Sequence, residues 1–481
     1  MKTIRKSFPE KGIDASLLLP EMQMIKSKDT AWRNGKVFGY IYYPGDEAAR
    51  VTEEAYRLFC SENALNPSLF ISLKKFETET VQMITDLLHG GPDAAGILTT
   101  GGTESILMTM KTARDKARND HPEIQYPEVI APESVHPAFD KAAHYLNIKL
   151  IHTPVRADKR ADINAMKSAI TFNTILLVGS APCFPHGVID PIAEIGELAL
   201  EHNIPFHVDA CLGGMMLPFA EELGYDVPKF DFRVPGVTSI SADIHKYGYS
   251  PKGASVIIYA SHDLRKYQFF VYTDWTGGLY GSPSLLGSRC GGPIAAAWAA
   301  LMFNGREGYL NMARDVMETS KKMQEGINSI PYLKVISNPD MCVFSFTSEN
   351  LDIFKVGDEL SSDGWHLDRI QFPNSLHVTV SYHNVKRAEE FISAVKEAAA
   401  KVSSEKLKSF STHFAVSFVK RLSKVLPETW FKKLSSAAAG LISNKDDDKQ
   451  GMSAAMYGIT AAIENRSNVH DLVLDVLDGM Y

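Results

Sequence analysis

Apolar runs alternate with helical patterns between about residues 75 and 260, and this alternation is the clearest pattern in the chain. The short apolar runs that predict strands are 95–100, 128–131, 148–152, 174–179, 205–209, 237–242 and 255–259. Helical periodicity separates several of them, as at 75–88, from 102 to about 117, and at 192–201. Strands that alternate with helices predict an α/β domain with a mainly parallel sheet covered on both faces. Ligands of such sheets bind beyond the carboxyl ends of the strands.

The pattern changes from about residue 310 onward. A long helix, strand-like runs at 333–336, 341–347 and 376–381, and helices at 353–362 and 385–401 predict a smaller α+β domain. We therefore predict an N-terminal segment (1–60), a large domain (61–308), a small C-terminal domain (309–402), a helical insertion (403–448) and a C-terminal segment (449–481). A chain of 481 residues is long enough for two or three packed units.

Composition narrows the class of protein. The chain is 45% hydrophobic and 22% charged, as soluble globular proteins are, and its net charge of −7 gives no reason to expect nucleic-acid binding. Five scattered cysteines, never spaced as CxxC, argue against a disulfide framework and against a zinc site. The N-terminus lacks the apolar run of a signal peptide, and no stretch reaches about 18 uninterrupted apolar residues. We expect a soluble, cytoplasmic protein that needs no metal.

Lys246 is the strongest candidate for chemistry. It lies in SADIHKYGYSPKG (241–253), directly after the predicted strand 237–242. Partial desolvation at such a strand end would lower the pKa of the lysine and make its neutral amine available for a Schiff base. A lone His-Lys pair is more often a solvated loop, so the hypothesis depends on what other segments supply. A pyridoxal-phosphate (PLP) site needs three further parts.

The first part is a carboxylate for the pyridinium nitrogen of PLP. Asp209 ends the apolar strand of IPFHVDACLGG, where a buried carboxylate needs a cationic partner. The pyridinium is such a partner, and its proton makes the ring an electron sink. An aspartate that caps a helix would explain the same residue equally well. Strand alternation places Cys211 on the side of Asp209, against the ring.

The second and third parts are a phosphate site and a ring that stacks. TTGGTES (99–105) runs from a strand into a helix, and Gly101, Gly102, Thr103 and Ser105 offer close backbone approach, free N–H groups and hydroxyls to an anion. His136 follows the strand 128–131 and could stack on the pyridine. Alone, a glycine-rich turn is weak evidence, and a capping or core histidine is the more common case.

Long motifs identify a family. GGTESILM, SAPCFPHGVIDPI, HVDACLGG, TSISADIHKYGYSPKG, FFVYTDWTGGLYGSPSLLGSR and GMSAAMYG resemble the sphingosine-1-phosphate lyases of the fold-type I PLP superfamily, which also contains the group II decarboxylases. The similarity runs from about residue 35 to 481, apart from roughly 403–448. It implies an aspartate-aminotransferase-like large domain and a homodimer with composite active sites, to which the terminal segments contribute.

The resemblance also implies roles for single residues. Lys246 would hold the cofactor as a Schiff base, Asp209 would pair with the pyridinium, and His136 would stack on the ring. The phosphate of the cofactor would be held by Gly102, Thr103 and His245 and by the Gly281–Ser282 turn of the partner subunit. The remaining candidates for proton transfer or substrate binding are Lys252, Tyr42, which would reach the site across the dimer, and Tyr457, which would cover it.

The implied reaction is a retro-aldol cleavage of a phosphorylated long-chain sphingoid base to a long-chain aldehyde and phosphoethanolamine. Two alternatives stay open. An amino-acid decarboxylase of the glutamate-decarboxylase type would use the same scaffold, although the SPKG and GLYGSP motifs favour a lyase. The other alternative is an inactive fold that serves as a membrane-bound interaction protein. The presence of Lys246, Asp209 and His136 argues against it.

The chain departs from the family in three places. Asn66, in NALNP, stands where a substrate-contacting histidine is expected, and an amide cannot titrate near neutral pH. We expect the N-terminal membrane anchor of eukaryotic members to be absent from this protein and therefore expect a soluble, bacterial form. The insertion 403–448 predicts a basic amphipathic helix pair, with eight Lys or Arg against two Glu between residues 401 and 433. Such a pair suits peripheral membrane contact through 405–435, or a hairpin packed on its own protein.

Overall fold

The computed structural model describes residues 7–406 together with 470, 473–474 and 477–478. The chain divides into two compact units. We call Phe38–Thr347 with His377–Ile392 the large unit, and Met1–Val37, Ser348–Leu376 and Ser393–Tyr481 the small unit. All the described candidate site residues belong to the large unit. Tyr457 and most of the insertion 403–448 lie outside the described residues.

A seven-stranded sheet forms the centre of the large unit. Its strands are Ala95–Thr99 (β1), Glu128–Pro132 (β2), Lys149–Thr153 (β3), Thr174–Ser180 (β4), Phe206–Asp209 (β5), Val237–Ala242 (β6) and Ser255–Tyr259 (β7). Their order across the sheet is β1-β7-β6-β5-β4-β2-β3. Only β7 runs antiparallel to its neighbours, and the other pairs are parallel. The predicted α/β class with a mainly parallel sheet is confirmed.

Burial explains why these runs form strands. Every residue of β2, β4, β5 and β7 is buried, whereas the edge strand β3 buries only Thr153. Helices cover both faces of a parallel sheet, so its inner strands carry continuous apolar runs and not an alternating pattern. This is why the short apolar runs of the sequence predicted the strands to within about two residues.

Helices and further strands complete the described chain. The helices are Ala15–Lys26 (α1), Asp46–Leu58 (α2), Ile71–Leu87 (α3), Gly102–Asp120 (α4), Ala138–Leu146 (α5), Ile163–Ala169 (α6), Ile192–His202 (α7), Leu217–Glu222 (α8), His262–Lys266 (α9), Gly291–Asn328 (α10), Ile353–Ser362 (α11) and Ala388–Lys406 (α12). The other strands are Phe270–Trp275 (β8), Gly278–Ser282 (β9), Lys334–Val335 (β10), Val343–Thr347 (β11), Asp368–Ile370 (β12) and Ser375–Thr379 (β13). No described helix is long and apolar enough to cross a membrane.

The long helix α10 begins about twenty residues before the start that the sequence predicted. Gly305 interrupts it with φ 56° and ψ −178°, a conformation open to glycine and strained for other residues. This break, together with the two glycines at its start, hides the helical pattern before residue 310. The domain boundaries predicted from the sequence stay a prediction.

Candidate active site

Lys246 lies four residues after the end of β6, at the carboxyl edge of the sheet. Its Nζ is 2.9 Å from Oδ2 of Asp243, which is only 2% exposed. Burial lowers the pKa of Lys246, but the groups around it, the Asp243 carboxylate first among them, together raise the pKa above its ordinary value. The expectation of a lowered pKa at Lys246 is therefore wrong, because a carboxylate counter-ion lies one turn away.

Asp243 is a site residue that the sequence analysis missed. Burial opposes its charged form, yet Lys246 and then His245 lower its pKa below the ordinary value. Its Oδ1 is buried and makes no hydrogen bond to any described residue. A signal was present, because this carboxylate stands three residues before Lys246 in the same motif and directly follows a buried strand.

Asp209 ends β5 next to the end of β6. It is 7% exposed, and its Oδ1 accepts hydrogen bonds from the Cys211 N–H at 3.1 Å and from Ser241 Oγ at 3.4 Å. The 3-10 helix that follows begins at Gly213 with Leu212 as its cap. The helix-cap alternative is therefore wrong for Asp209. Its carboxylate is held by its own turn and by the neighbouring strand, in a position suited to a cationic ring nitrogen.

Ser241 and His207 form a polar layer under Asp209. In the parallel register, Asp209 lies beside Ser241, and the Ser241 hydroxyl also contacts His207 Nε2 at 3.2 Å. Burial lowers the pKa of His207 to about 4, so this imidazole is neutral. Neutral partners leave the negative charge of Asp209 free for a ligand cation. Neither Ser241 nor His207 is predictable as a site residue from the sequence, since only the strand register brings them to Asp209.

Cys211 is a buried, neutral thiol. Its Sγ lies 3.4 Å from Ser241 Oγ, and burial, followed by the charges of Asp209 and Asp243, raises its pKa well above the ordinary value. A Cβ placed on Gly102 would lie 2.7 Å from this sulfur. Cys211 thus packs under the glycine turn.

His136 belongs to the same cluster. Its Nδ1 accepts the N–H of Ala138 at 3.1 Å, so the neutral ring carries its proton on Nε2. Burial lowers the pKa of His136, and the charges that act on the ring are those of Asp209, Lys246 and Asp243. The ring, the two carboxylates and the lysine therefore converge at the carboxyl ends of the strands.

An anion cradle lies at the start of α4. A Cβ on Gly102 would also meet both oxygens of Asp243 at 3.0 Å, so a side chain there would fill the space beside Lys246. Thr103 lies exposed in the first turn of the helix, whose free N–H groups attract anions. His245 Nδ1 accepts the N–H of Ala254 at 3.3 Å, which leaves its Nε2–H as a donor. The cradle fits a phosphate, and with Asp209 and Lys246 the set fits PLP.

Lys252 and Tyr42 form the other side of the site. The Nζ of Lys252 lies 4.8 Å from the centre of the Tyr42 ring and donates to the carbonyl oxygen of His245 at 3.3 Å. Desolvation, followed by repulsion from Lys246, lowers the pKa of Lys252 to about 8. We expected Tyr42 to arrive from the partner subunit. The structure instead places it against Lys252 of its own chain, which corrects that expectation.

Asn66 and Ser282 lie elsewhere. The exposed Asn66 accepts hydrogen bonds from the N–H and Oγ of Ser68 at 3.0 and 2.7 Å, and Ser282 Oγ donates to the carbonyl oxygens of Ser284 and Leu286. Leu65 and Pro67, the neighbours of Asn66, line a cavity of about 750 Å³ together with Gly281 and Ser282 at the end of β9. Lys246 is not among the described residues around this cavity. Within one chain, these two residues do not join the Lys246 cluster.

Glu104 connects the glycine turn beside the Lys246 cluster with the segment that contains Ser282. Its buried carboxylate accepts the N–H and Oγ1 of Thr100, both at 2.7 Å, and the N–H of Leu285 at 3.0 Å. It therefore ties the glycine turn before α4 to the segment after β9. This role of Glu104 is not predictable from the sequence, because nothing along the chain links residue 104 to residue 285.

Comparisons with known proteins identify the family. The model of the pyridoxal-dependent decarboxylase conserved domain matches residues 59–349. The sphingosine-1-phosphate lyase of Oryza sativa subsp. japonica is 47% identical over 404 residues, which cover 82% of this chain and 74% of that protein. That of Saccharomyces cerevisiae is 36% identical over 480 residues, which cover 98% of this chain and 75% of that protein.

Solved structures give the same result. The sphingosine-1-phosphate lyase of Burkholderia pseudomallei superposes with a TM-score of 0.81 at 42% identity and covers 86% of this chain and 97% of its own. A glutamate decarboxylase from Lactobacillus brevis, at a TM-score of 0.73 and 17% identity over 83% of this chain and 95% of its own, shares the fold. The chain belongs to the sphingosine-1-phosphate lyase family of PLP-dependent enzymes.

Proposed function

We propose that the protein cleaves phosphorylated sphingoid bases, namely sphingosine 1-phosphate and its dihydro and phyto analogues, to a long-chain aldehyde and phosphoethanolamine. The observation that carries the proposal is the convergence of Lys246, Asp209 and His136 beside the Gly102 cradle. The chain is also 36–47% identical to the two sphingosine-1-phosphate lyases compared above. These are the groups that a PLP-dependent cleavage of a carbon–carbon bond requires.

The residues of the site have distinct proposed tasks. Bound PLP would supply an electron sink for the pair left on C2 when the C2–C3 bond breaks. Lys246 would anchor the cofactor, Asp209 would keep the proton on its ring nitrogen, and His136 would cover its face. Gly102, Thr103 and His245 would hold its phosphate. Cys211 would pack below the ring.

Proton transfer from the C3 hydroxyl needs a base near the cluster. Lys252 is the best placed described group, because a pKa of about 8 lets its amine give and take protons near neutral pH. Tyr42 lies over it and would orient the ammonium. Tyr457, which lies outside the described residues, and Asn66 stay predicted contacts of the substrate.

A product assay tests the function. Purified protein with PLP and sphingosine 1-phosphate should release a long-chain aldehyde and phosphoethanolamine in equal amounts, whereas Lys246→Ala should release neither. The same preparation is then given glutamate and other amino acids. Carbon dioxide without aldehyde would instead identify an amino-acid decarboxylase, the alternative that the shared fold leaves open.

We also propose a homodimer in which Ser282 and Asn66 serve the site of the partner subunit. The supporting feature is the β8–β9 hairpin, an isolated two-stranded sheet whose strand β8 is exposed throughout. Phe270, Val271, Trp275 and Leu279 are each more than half exposed on it. Exposed apolar surface of this kind is typical of an interface.

The hairpin offers a test of the dimer. Light scattering should give twice the monomer mass for the wild type, and Trp275→Lys with Leu279→Lys should shift the mass toward the monomer. A matched control is Tyr126→Lys, which changes an exposed aromatic residue outside the hairpin. A wild-type monomer would contradict the proposal.

We further propose a cytoplasmic protein that contacts membranes through 405–435. The support is the local positive charge of the insertion and the apolar stripe predicted in it, and the substrate is itself a membrane lipid. The protein should co-sediment with anionic liposomes at low salt, and deletion of 405–447 should abolish binding while a soluble short-chain substrate is still turned over. Equal co-sedimentation of both proteins would show a hairpin packed on its own enzyme.

A further inference from the structure

Asp243 has no task in the proposed reaction, yet it is the nearest charged group to Lys246. Its Oδ2 lies 2.9 Å from Nζ, and its Oδ1 is buried without a hydrogen-bond partner among the described residues. A buried carboxylate that loses its only counter-ion is strongly destabilised. Asp243 therefore holds a positive charge on Lys246 whenever the lysine is not bonded to the cofactor.

The other groups around Asp243 do not replace that counter-ion. The polar or titratable groups that act on it or feel its charge are Lys246, His245, Ser255, Cys211, Lys252 and His136. His245 Nε2 lies farther away, at 3.7 Å, and burial favours its neutral form. Cys211 is a neutral thiol, and Ser255 carries no charge. Lys246 is the cation that balances Asp243.

The proposed reaction creates a hazard for a free lysine. Its product is an aldehyde, which would form beside Lys246. A neutral amine adds to an aldehyde and loses water to give an imine, so the enzyme would be captured by its own product. An ammonium cannot add, because its nitrogen has no lone pair.

We propose that Asp243 is a positioning residue that keeps the unbonded Lys246 protonated and so protects it from the aldehyde product. The inference rests on the proposed function, which supplies the aldehyde. The protected state needs no further reactant, since the proton stays on Nζ and no bond forms or breaks. Only when the proton leaves Nζ can the amine react with a carbonyl, whether that of the aldehyde product or that of the cofactor.

Lys252 provides a comparison within the same molecule. It lies six residues further along the chain, and within residues 7–406 no carboxylate forms an ion pair with it. It contacts the Tyr42 ring and a carbonyl oxygen instead. If the Asp243 carboxylate decides which lysine is reactive, Lys252 reacts with aldehydes at a pH at which Lys246 does not.

Reductive trapping measures this difference in cofactor-free protein. The wild type and Asp243→Asn are incubated with hexanal and cyanoborohydride between about pH 6 and about pH 10, a range that spans the pKa of Lys252 of about 8 and nearly reaches the reference pKa of lysine. Alkylated lysines are quantified by peptide mass spectrometry. In the wild type, Lys252 should be labelled at least about tenfold faster than Lys246 near pH 8, the effect of one pKa unit on the neutral fraction. In Asp243→Asn, labelling of Lys246 should rise by about tenfold or more, while that of Lys252 changes by less than about threefold.

Two controls complete the design. Asp263→Asn removes the carboxylate of the exposed Lys266–Asp263 pair, and this variant should leave Lys246 labelling unchanged. Lys246→Ala identifies the labelled peptide. Circular dichroism verifies that each variant is folded.

Unchanged Lys246 labelling in folded Asp243→Asn would overturn the inference. If that variant does not fold, the wild type alone decides, because equal labelling profiles of Lys246 and Lys252 would overturn it as well. The experiment uses added aldehyde and no sphingoid base, so its result is separate from the product assay. Failure to make an aldehyde from sphingosine 1-phosphate would overturn the proposed function, whatever the trapping shows.

Discussion

Lys246 and Lys252 lie on one short stretch of chain after β6, yet their surroundings act on them in opposite directions. Burial lowers the pKa of both lysines. At Lys246, a carboxylate 2.9 Å away reverses that effect. At Lys252, the nearby aromatic ring and carbonyl oxygen do not reverse the effect of burial, and the pKa of this lysine falls to about 8.

The comparison shows that burial alone does not decide the charge of a lysine in this site. A full negative charge in a desolvated position interacts more strongly with an ammonium than a ring quadrupole or a carbonyl dipole does. One lysine is therefore suited to be held as a cation while it is not bonded to the cofactor, and it must lose that proton before it can bond to it. The other is suited to exchange protons near neutral pH.

Removal of the Lys246 amine should have the largest effect. We expect Lys246→Ala to lose aldehyde formation by at least about 10³-fold, as other enzymes do when a covalent catalytic group is removed. The visible absorbance of covalently bound cofactor should disappear, and Lys252 should not replace the lost amine. Product assays and absorbance spectra measure both results. Turnover within tenfold of the wild type would mean that the two lysines are interchangeable.

Asp209→Asn tests the Lys246 side of the site without touching either lysine. A neutral amide cannot keep a proton on the ring nitrogen, so turnover should fall by about a hundredfold or more. The cofactor should still bind, as titration of the cofactor-free protein would show. As a control, Ser241→Ala removes one hydrogen bond to Asp209 and should cost less. Activity within a few-fold of the wild type would remove Asp209 from its proposed role.

On the Lys252 side of the site, Lys252→Arg separates the role of the positive charge from the role of proton exchange. Arginine keeps the positive charge but stays protonated, so kcat should fall by about a hundredfold while KM changes little. Wild-type kcat should rise with pH through about 8, because the neutral amine is the base, and the variant should lack that rise. A raised KM with unchanged kcat would instead assign Lys252 to binding of the substrate phosphate.

Tyr42→Phe should have the smallest effect. The ring that faces Lys252 remains, so the cation–π contact and the rise of kcat near pH 8 should persist, and turnover should stay within about threefold. Tyr42→Leu removes the ring, and with it an attraction that favours the ammonium of Lys252, so in this matched variant the rise should shift to lower pH. A large loss in Tyr42→Phe would show that the hydroxyl itself transfers a proton.

Much of the fold and part of the site follow from the sequence alone. Continuous apolar runs predicted the strands, because the inner strands of a parallel sheet are buried on both faces. Lys246, Asp209 and His136 each stand just after such a run, and the carboxyl ends of parallel strands share one edge. Their convergence was therefore predictable, and the longer motifs identified the family.

Only the tertiary structure decided how these residues are charged and what supports them. The sign of a buried pKa shift depends on distances to other charges, so the Asp243 carboxylate reversed the expected effect of burial on Lys246. Ser241 and Glu104 gained their roles from strand register and from a contact with Leu285. Tyr42 reached Lys252 within its own chain. Periodicity in a sequence encodes which residues are buried, whereas electrostatics depends on separations of a few ångströms that only packing sets.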